Sequence, residues 1–476
     1  MIGCSYLFTE HTPTVTNNFL EYSNSMNTPV AKKNKNYYIW TIGCQMNEAD
    51  SRRLGSELES RGYSSVEQPE EADIVVLNTC VVRQQAEDKI FGRLGSVKTI
   101  KEKRPNLTVG LMGCMVGVRE APRLQKKFPF VDVFMPPSDT KPMLEFLDSQ
   151  EFVDEALDAE AEAIQERYAI QDAEHLLPAE QRSNTILANV PVVLGCSHAC
   201  TFCIIPYRRG RERSRPMDEI LDESKKLVDQ GVKEIMFLGQ IVDRYGHDFN
   251  DGTELADLLI KANDISGVER IRFLTSHPNY MSDKLLDAVA NLDKVCPHME
   301  VPVQAGNNEV LANMRRGYTV EQFKELIDRI RGKIPDCTIN TDIIVGFCGE
   351  THDQFMDTYN LMEEIKFDKV HMAKYSVRPR TVAARRMEDD VPEGEKAKRW
   401  KMLDVLQRGI QEEKNKTFQD KQVEILVEAY QKGSWRGRTP DNRLVFFKDD
   451  RDWLGKIANI QVEHTSPFSL VGKLVE

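Results

Sequence analysis

Nearly continuous apolar runs alternating with amphipathic helical stretches recur in two series along the chain, and this alternation restricts the fold more than any other feature. In the first series YYIWTIGC, ADIVVLNTC and LTVGLMGC each run into a cysteine, Cys44, Cys80 and Cys114. Between them lie NEADSRRLGSELESRGY and VRQQAEDKIFGRLGSVKTIKEK, both helical in pattern. Uninterrupted apolar strands alternating with helices argue for a parallel sheet covered on both faces. The strands of such a sheet point the same way, so their C-terminal ends gather at one edge, where open α/β sheets bind ligands. The cysteines are separated by 36 and 34 residues, each about one strand, helix and return. They are expected to converge in space.

The second series begins near Pro191 with strands read at PVVLGC, EIMFLGQ, RIRFLTSHP, HMEVPVQAG, TINTDIIVGF and DKVHMAKYS, separated by stretches such as MDEILDESKKLVDQG. Six β/α repeats are too few for a closed eight-stranded barrel and enough for an open, partial one, whose chemistry sits at the C-terminal mouth of the strands. From Gln422 the pattern changes to short strands and turns, which reads as a small antiparallel all-β barrel. From Lys414 onward there are 11 Lys and Arg against 9 Asp and Glu. Trp435, Arg436, Arg438, Arg443, Phe446 and Phe447 mix cations with rings, a combination open to two readings, RNA binding by stacking and phosphate contacts or an ordinary small-barrel core with a solvated face. The predicted class is α/β: a parallel α/β domain over 36–147, a partial (β/α)6 barrel over 185–412 and a small β-barrel over 413–476.

At 476 residues the chain exceeds a single ordinary core. Its formal charge of -12 is unevenly placed: Asp148 to Arg182 holds 11 Asp and Glu against 2 Arg, a net of -9, leaving -3 elsewhere. That stretch, with few aromatics and no apolar stripe, reads as an acidic linker or insertion over 148–184. Residues 1–35 lack a basic start and long apolar core, so they read as a disordered extension rather than a secretory signal. No run approaches the length of a membrane span. A cytoplasmic monomer with no membrane association is expected, in which the ten cysteines stay reduced.

Just past the first strand of the second series comes GCSHACTFCIIPYRRGRERSRP, with Cys196, Cys200 and Cys203 spaced C-x3-C-x2-C. Closed zinc sites use four ligands. Three thiolates on one compact loop suit an iron-sulfur cluster whose fourth iron is open to another ligand. Arg208, Arg209, Arg211, Arg213 and Arg215 follow at once, and Arg315 and Arg316 lie after a later strand. Cations there suit RNA phosphates held against the mouth, and equally an ordinary solvated face.

The cysteine loop at the first strand of a partial barrel resembles the radical S-adenosylmethionine (SAM) superfamily. TIGCQMNEADS, VLNTCVVRQQAEDKIFGRLG, GLMGCM, VPVQAGNNEVLANMRRGYT and the terminal, TRAM-like barrel, in this order from about Tyr37 onward, narrow the resemblance to the methylthiotransferases, and QMN after Cys44 to their MiaB-type, tRNA-acting branch. The resemblance implies that the cluster on Cys196, Cys200 and Cys203 binds and reductively cleaves SAM, with Phe202, Gly239 and Gln240 as SAM contacts. It implies a second, auxiliary 4Fe-4S cluster on Cys44, Cys80 and Cys114 that carries sulfur. Two SAM molecules serve each turnover, one for the methyl and one for the radical. The implied substrate is N6-isopentenyladenosine in a tRNA anticodon stem-loop. The implied partners are an electron donor such as flavodoxin or ferredoxin and sulfur-supply proteins.

Two alternatives stay open on sequence alone. One changes only the substrate, to threonylcarbamoyladenosine in tRNA or an aspartate of a ribosomal protein. The other is a non-catalytic RNA-binding iron-sulfur redox sensor, against which the open fourth coordination position argues. The chain departs from the family pattern at Ile241 (for Asn), Cys348 (for Pro), Val377 (for Pro) and Arg380 (for Gly). Arg380 is expected to be tolerated only if its backbone needs no positive φ. Cys4, Cys296 and Cys337 read as structural or incidental.

Overall fold

The computed structural model describes residues 35–82, 84–119, 121–155, 177–178 and 184–475. The extension, with Cys4, and most of the acidic segment lie outside the described residues. The first layer consists of β1 (Lys35–Thr41), α1 (Gln45–Ser60), β2 (Tyr63–Ser65), β3 (Ile74–Thr79), α2 (Gln84–Lys103), β4 (Thr108–Gly113), α3 (Ala121–Lys127), β5 (Val133–Met135) and α4 (Lys141–Glu155). Its sheet is parallel throughout, in the order β2-β1-β3-β4-β5. The three expected strands form its centre. The edges β2 and β5 are three residues each, too short for periodicity to reveal. Every residue of β3 is buried, and alternate side chains enter opposite cores: Val75 and Leu77 pack with Ile90 and Leu94 of α2, Ile74 and Val76 with Leu54 and Leu58 of α1 and Met143 of α4. Pairing of Thr41 with Asn78 and of Thr79 with Gly113 aligns the C-terminal ends of β1, β3 and β4.

The second layer contains β6 (Leu187–Pro191), β7 (Val193–Leu194), α5 (Ile205–Arg209), β8 (Arg213–Ser214), β9 (Glu234–Leu238), β10 (Arg270–Leu274), β11 (His298–Glu300), β12 (Thr338–Val345) and β13 (Lys369–Lys374). Strands β6, β9 and β10 pair in parallel, as do β11, β12 and β13. A parallel bridge between Ile271 and Val295 joins the two groups. Six strands thus curve into the open barrel expected. One strand differs from the sequence reading: within PVVLGC the barrel strand has already ended at Pro191, and Val193–Leu194 turns aside to pair antiparallel with Arg213–Ser214. Pro191 has no N–H with which to continue a ladder. The turn encloses the cysteine loop. Outer helices carry legible start signals, since Thr319 with Gln322 and Thr351 with Gln354 form capping boxes.

A helix over Glu393–Lys416 leads to the closed barrel of β14 (Gln422–Gln431), β15 (Ser434–Arg438), β16 (Leu444–Phe447), β17 (Ile457–Thr465) and β18 (Leu470–Leu474), in the order β14-β15-β16-β18-β17. One pair, β16 with β18, is parallel, so the small barrel is not purely antiparallel as expected. Trp435 and Phe447 belong to its core with Ile425, Val445 and Ile460, which removes both rings from the expected stacking surface. The small barrel docks on the N-terminal ends of the large barrel's strands. Arg272 donates to Glu234 Oε1 (2.8 Å), Pro440 O (2.7 Å) and Thr439 O (2.9 Å). His298 Nε2 lies 3.1 Å from Asn442 Nδ2, and Arg443 donates to Asp368 Oδ1 at 3.0 Å. By packing, Lys35–Glu476 is one compact unit. Among the described residues no helix is long and apolar enough to cross a membrane.

Candidate active site

Cys44, Cys80 and Cys114 stand just beyond the aligned ends of β1, β3 and β4. Gly43 has φ 147°, and a Cβ there would fall 2.6 Å from Asn47 Nδ2 and 3.0 Å from Cys80 Cβ; only glycine lets the two cysteine segments come so close. Asn47 organises the edge. Its Nδ2 donates to Ile42 O and Thr79 O, both at 3.0 Å, and its own carbonyl accepts from Asn78 Nδ2 at 2.8 Å. Cys44 Sγ is 3.9 Å from Asn47 Oδ1, and Cys114 N donates to Thr79 O at 2.8 Å. Cys80 and Cys114 are buried and Cys44 is exposed. Burial pushes the Cys114 thiol up to about 11, with Arg209 acting against it and the neighbouring Cys80 and Cys44 adding to it. The three thiols therefore lie within electrostatic reach of one another.

Cys196, Cys200 and Cys203 follow β7. Gly195 (φ 73°) would place a Cβ 2.2 Å from Arg211 O, so the loop closes tightly under the returning strand β8. Cys196 N donates to Gly210 O at 3.1 Å and Cys203 N to Cys200 O at 3.2 Å. Thr201 pins the loop to the barrel: its N donates to Met314 O (3.1 Å), its hydroxyl to Asn313 O (2.8 Å), and its carbonyl accepts from Ala383 N (2.9 Å). Arg316 Nη1 donates to Cys200 Sγ at 3.2 Å, Nη2 to Pro302 O and Nε to Tyr318 OH. His198 Nδ1 lies 3.6 Å from Cys200 Sγ, and its ring stacks on His277 at 4.4 Å. Burial raises the Cys196 thiol to about 11 and the Cys203 thiol to about 12. Such thiols keep their protons until a metal displaces them.

Among the described residues no group of three or more His, Cys, Asp or Glu side chains is placed to hold a metal ion. Three thiols in each set are the donor type of an iron-sulfur cluster, in which every thiolate holds its own iron. The donor chemistry fits: thiols alone, each set with a buried guanidinium in contact. Arg209 Nε is in addition a buried donor with no acceptor among the described residues.

Helix α5 connects the sets, since Val118 N donates to Arg208 O at 3.1 Å and Arg209 Nη2 to Asn47 Oδ1 at 2.7 Å. The arginines expected to grip phosphate divide accordingly. Arg209 and Arg316 are buried, 8% and 5% exposed, and face thiols rather than solvent; their burial corrects the expectation for both. Arg208 is half-buried with a contact to Met115 O at 3.4 Å, and Arg215 pairs with Glu223 at 2.7 Å. Arg438 pairs with Glu428 (3.2 Å) and Arg436 reaches Gln431 Oε1 (3.3 Å). Arg211, Arg213 and Arg315 are exposed at the mouth.

Phe202 meets Phe347 edge-on at 6.4 Å. Gly239 is buried where a Cβ would approach Val242 Cα to 2.9 Å, and Gln240 is half-buried beside it. Ile241 packs with Cys196, Ile205, Cys203 and Tyr280, so the departure from Asn adds an apolar wall to the cysteine loop. Cys348 is buried beside Tyr375, and Val377 is exposed. Sequence reading missed the ion pair of Arg244 with Glu212 (2.7 Å) and the buried carboxyl of Asp243, which accepts from His277 N at 3.0 Å. For the role of Asn47, only the tripeptide QMN gave a signal.

The profile of the radical SAM superfamily matches residues 190–362, that described as Uncharacterized protein family UPF0004 matches 36–136, and the TRAM domain matches 416–475. Among solved structures, the radical S-adenosylmethionine methyltransferase TsrM from Kitasatospora setae, with cobalamin and a 4Fe-4S cluster bound, superposes with TM-score 0.51 and 14% identity over 74% of this chain and 77% of that one. At that identity the likeness shows the fold alone, and with the profile matches it defines a radical SAM enzyme. Proteins named tRNA-2-methylthio-N(6)-dimethylallyladenosine synthase are 47% identical in Roseiflexus sp. (strain RS-1), over 93% of this chain and 90% of the relative, and 46% identical in Herpetosiphon aurantiacus, over 92% and 97%. The relative so named in Thermoanaerobacter pseudethanolicus is 42% identical over 93% of each. The chain belongs to this family of radical SAM methylthiotransferases.

Proposed function

We propose that the chain replaces the adenine 2-hydrogen of N6-isopentenyladenosine, next to the anticodon of tRNA, by a methylthio group. The observation that carries this reading is the meeting of two three-cysteine sets, from separate layers, across the five-residue helix α5. One set suffices to generate a radical. Converting an aromatic C–H to C–S–CH3 also needs sulfur close by, which the second set would hold. Cys196, Cys200 and Cys203 are read as ligands of the SAM-binding 4Fe-4S cluster and Cys44, Cys80 and Cys114 as ligands of an auxiliary one. When bound, these groups and two SAM molecules supply the hydrogen-abstracting radical, the sulfur and the methyl group.

The chain's own residues position and enclose. Thr201 fixes the cysteine loop, Arg316 and His198 orient Cys200, and Ile241 with Tyr280 excludes water from its flank. Gly239 leaves space where a side chain would clash, which with Phe202 and Gln240 suits a SAM-contacting wall. Exposed Arg211, Arg213 and Arg315 hold phosphates at the mouth, and Arg436 and Arg438 extend that grip on the TRAM domain. The domain limits 36–147, 185–412 and 413–476, a flavodoxin or ferredoxin as electron donor, sulfur-supply proteins and a cytoplasmic location belong to the same proposal.

The test is anaerobic incubation of reconstituted, reduced protein with SAM and an isopentenyladenosine-containing anticodon stem-loop. The expected products are 5'-deoxyadenosine and the 2-methylthio nucleoside. Cys200→Ala should lose both, and Cys80→Ala should keep SAM cleavage while losing the methylthio product. Efficient methylthiolation by Cys80→Ala would refute the auxiliary assignment.

A further inference from the structure

Arg209 links the two cysteine sets, its backbone continuing from one and its side chain reaching the other. It follows Cys203 by six residues, on α5, yet its guanidinium ends at the cysteine edge of the first sheet. Nη2 donates to Asn47 Oδ1 at 2.7 Å, Nη1 to Ser138 Oγ at 3.4 Å, and Nη1 stands 3.8 Å from Asp50 Oδ2. The Cys114 thiol is also within its electrostatic reach. The seat is built for it: Asp50 and Arg209 side chains are 4% and 2% exposed, and Ser138 holds a left-handed φ of 60°. A fully buried cation is costly unless paired. Here the only carboxylate beside it among the described contacts is Asp50, whose pKa burial pushes upward. The remaining polar neighbours are a neutral amide, a hydroxyl and thiols.

We propose that Arg209 is a positioning residue for the cluster on Cys44, Cys80 and Cys114: its fixed charge offsets the negative charge of a group bound by three thiolates, and its place on α5 ties that group to the SAM-binding loop. The inference rests on the auxiliary-cluster reading given above. Net charge and hydrogen bonds to sulfur set the potential of such clusters, so loss of the cation makes the cluster harder to reduce. A purely structural clamp between the two layers has no such effect.

The test uses full-length protein carrying Cys196→Ala, Cys200→Ala and Cys203→Ala, so that only the auxiliary cluster remains, with iron analysis and a redox titration followed by electron paramagnetic resonance. Adding Arg209→Gln should leave about four irons and move the midpoint to more negative potential. Arg209→Lys, which keeps the charge, should return it toward the parent. Arg209→Met, which likewise removes the charge while keeping an unbranched stem, should move it the same way, and that variant carries the test if Arg209→Gln does not fold. An unchanged midpoint in whichever of the two folds overturns the proposal. A parent that binds no iron overturns the auxiliary-cluster reading itself, and Arg209 loses its role with it.

Discussion

Arg380 adopts φ 78°, so the backbone does require the left-handed region where the family pattern places glycine. The condition under which arginine would be tolerated there without strain is therefore not met. A left-handed position costs an L-residue roughly 1–2 kcal/mol, partly offset by the smaller entropy loss on folding of a non-glycine. Arg380→Gly is accordingly expected to stabilise the protein by up to about 1 kcal/mol, seen as a higher urea midpoint; a lower one would mean the arginine's own contacts outweigh the strain. At this scale the sequence was legible where spacing and strand ends speak together, as for the six cysteines at strand ends. It was opaque where burial decides the role. Within YRRGRERSRP nothing distinguishes Arg209, which faces Cys114, from Arg211, which faces solvent, because the turn that separates them depends on the pairing of β7 with β8.

Elements carry a different lesson, clearest at the start of α1. Gln45 is exposed, Met46 enters an apolar cluster with Met236, Leu238 and Leu274 inside the large barrel, and Asn47 turns to the cysteine edge. Three consecutive side chains thus serve solvent, the layer contact and the site. QMN was readable as a family mark, but its physical reason lies in the barrel strands some 190 residues on. Met46→Ala should cost about 2–3 kcal/mol and Met46→Leu under about 1.5 kcal/mol, measured as thermal or urea unfolding. Equal effects would place Met46 outside a packed contact. The long parallel strands were legible because both of their faces are apolar. The edges β2 and β5 and the displaced β6 were not, since three residues carry no period and the register of β6 is set by its partner β9.

For the whole molecule, the decisive contact is the one beneath the large barrel. The side chains of Arg272 and Glu234 are 0% and 1% exposed, and two further donors of Arg272 hold the loop between β15 and β16. Removing one partner of a buried, hydrogen-bonded pair costs about 3–5 kcal/mol. Arg272→Ala should therefore loosen the TRAM domain, read as accelerated proteolysis near residues 413–420, while radical chemistry at the mouth persists in trapped, folded protein. His298 adds a pH dependence to the same junction. Burial and Arg272 depress its pKa from 6.5 to about 3, so its ring stays neutral in the fold while the unfolded chain takes up a proton. Its contribution is intact above pH 6.5 and is lost as pH falls from 6.5 toward 3. At pH 5 the loss is about 2 kcal/mol, and His298→Asn should remove that share of the acid sensitivity of unfolding. An identical pH slope in the variant would exclude the histidine as its source.

This docking has a geometric corollary. The small barrel is fixed to the beginnings of the large barrel's strands, and the loop of Cys196, Cys200 and Cys203 lies beyond the end of the first of them. The longest stave, β12, has eight residues and at roughly 3.3 Å per residue measures about 26 Å. Because the junction is a buried, hydrogen-bonded lock, that interval is set by the fold. The molecule carries a built-in gauge, and an RNA that engages both barrels must reach along its side by up to about that length before a base enters the mouth.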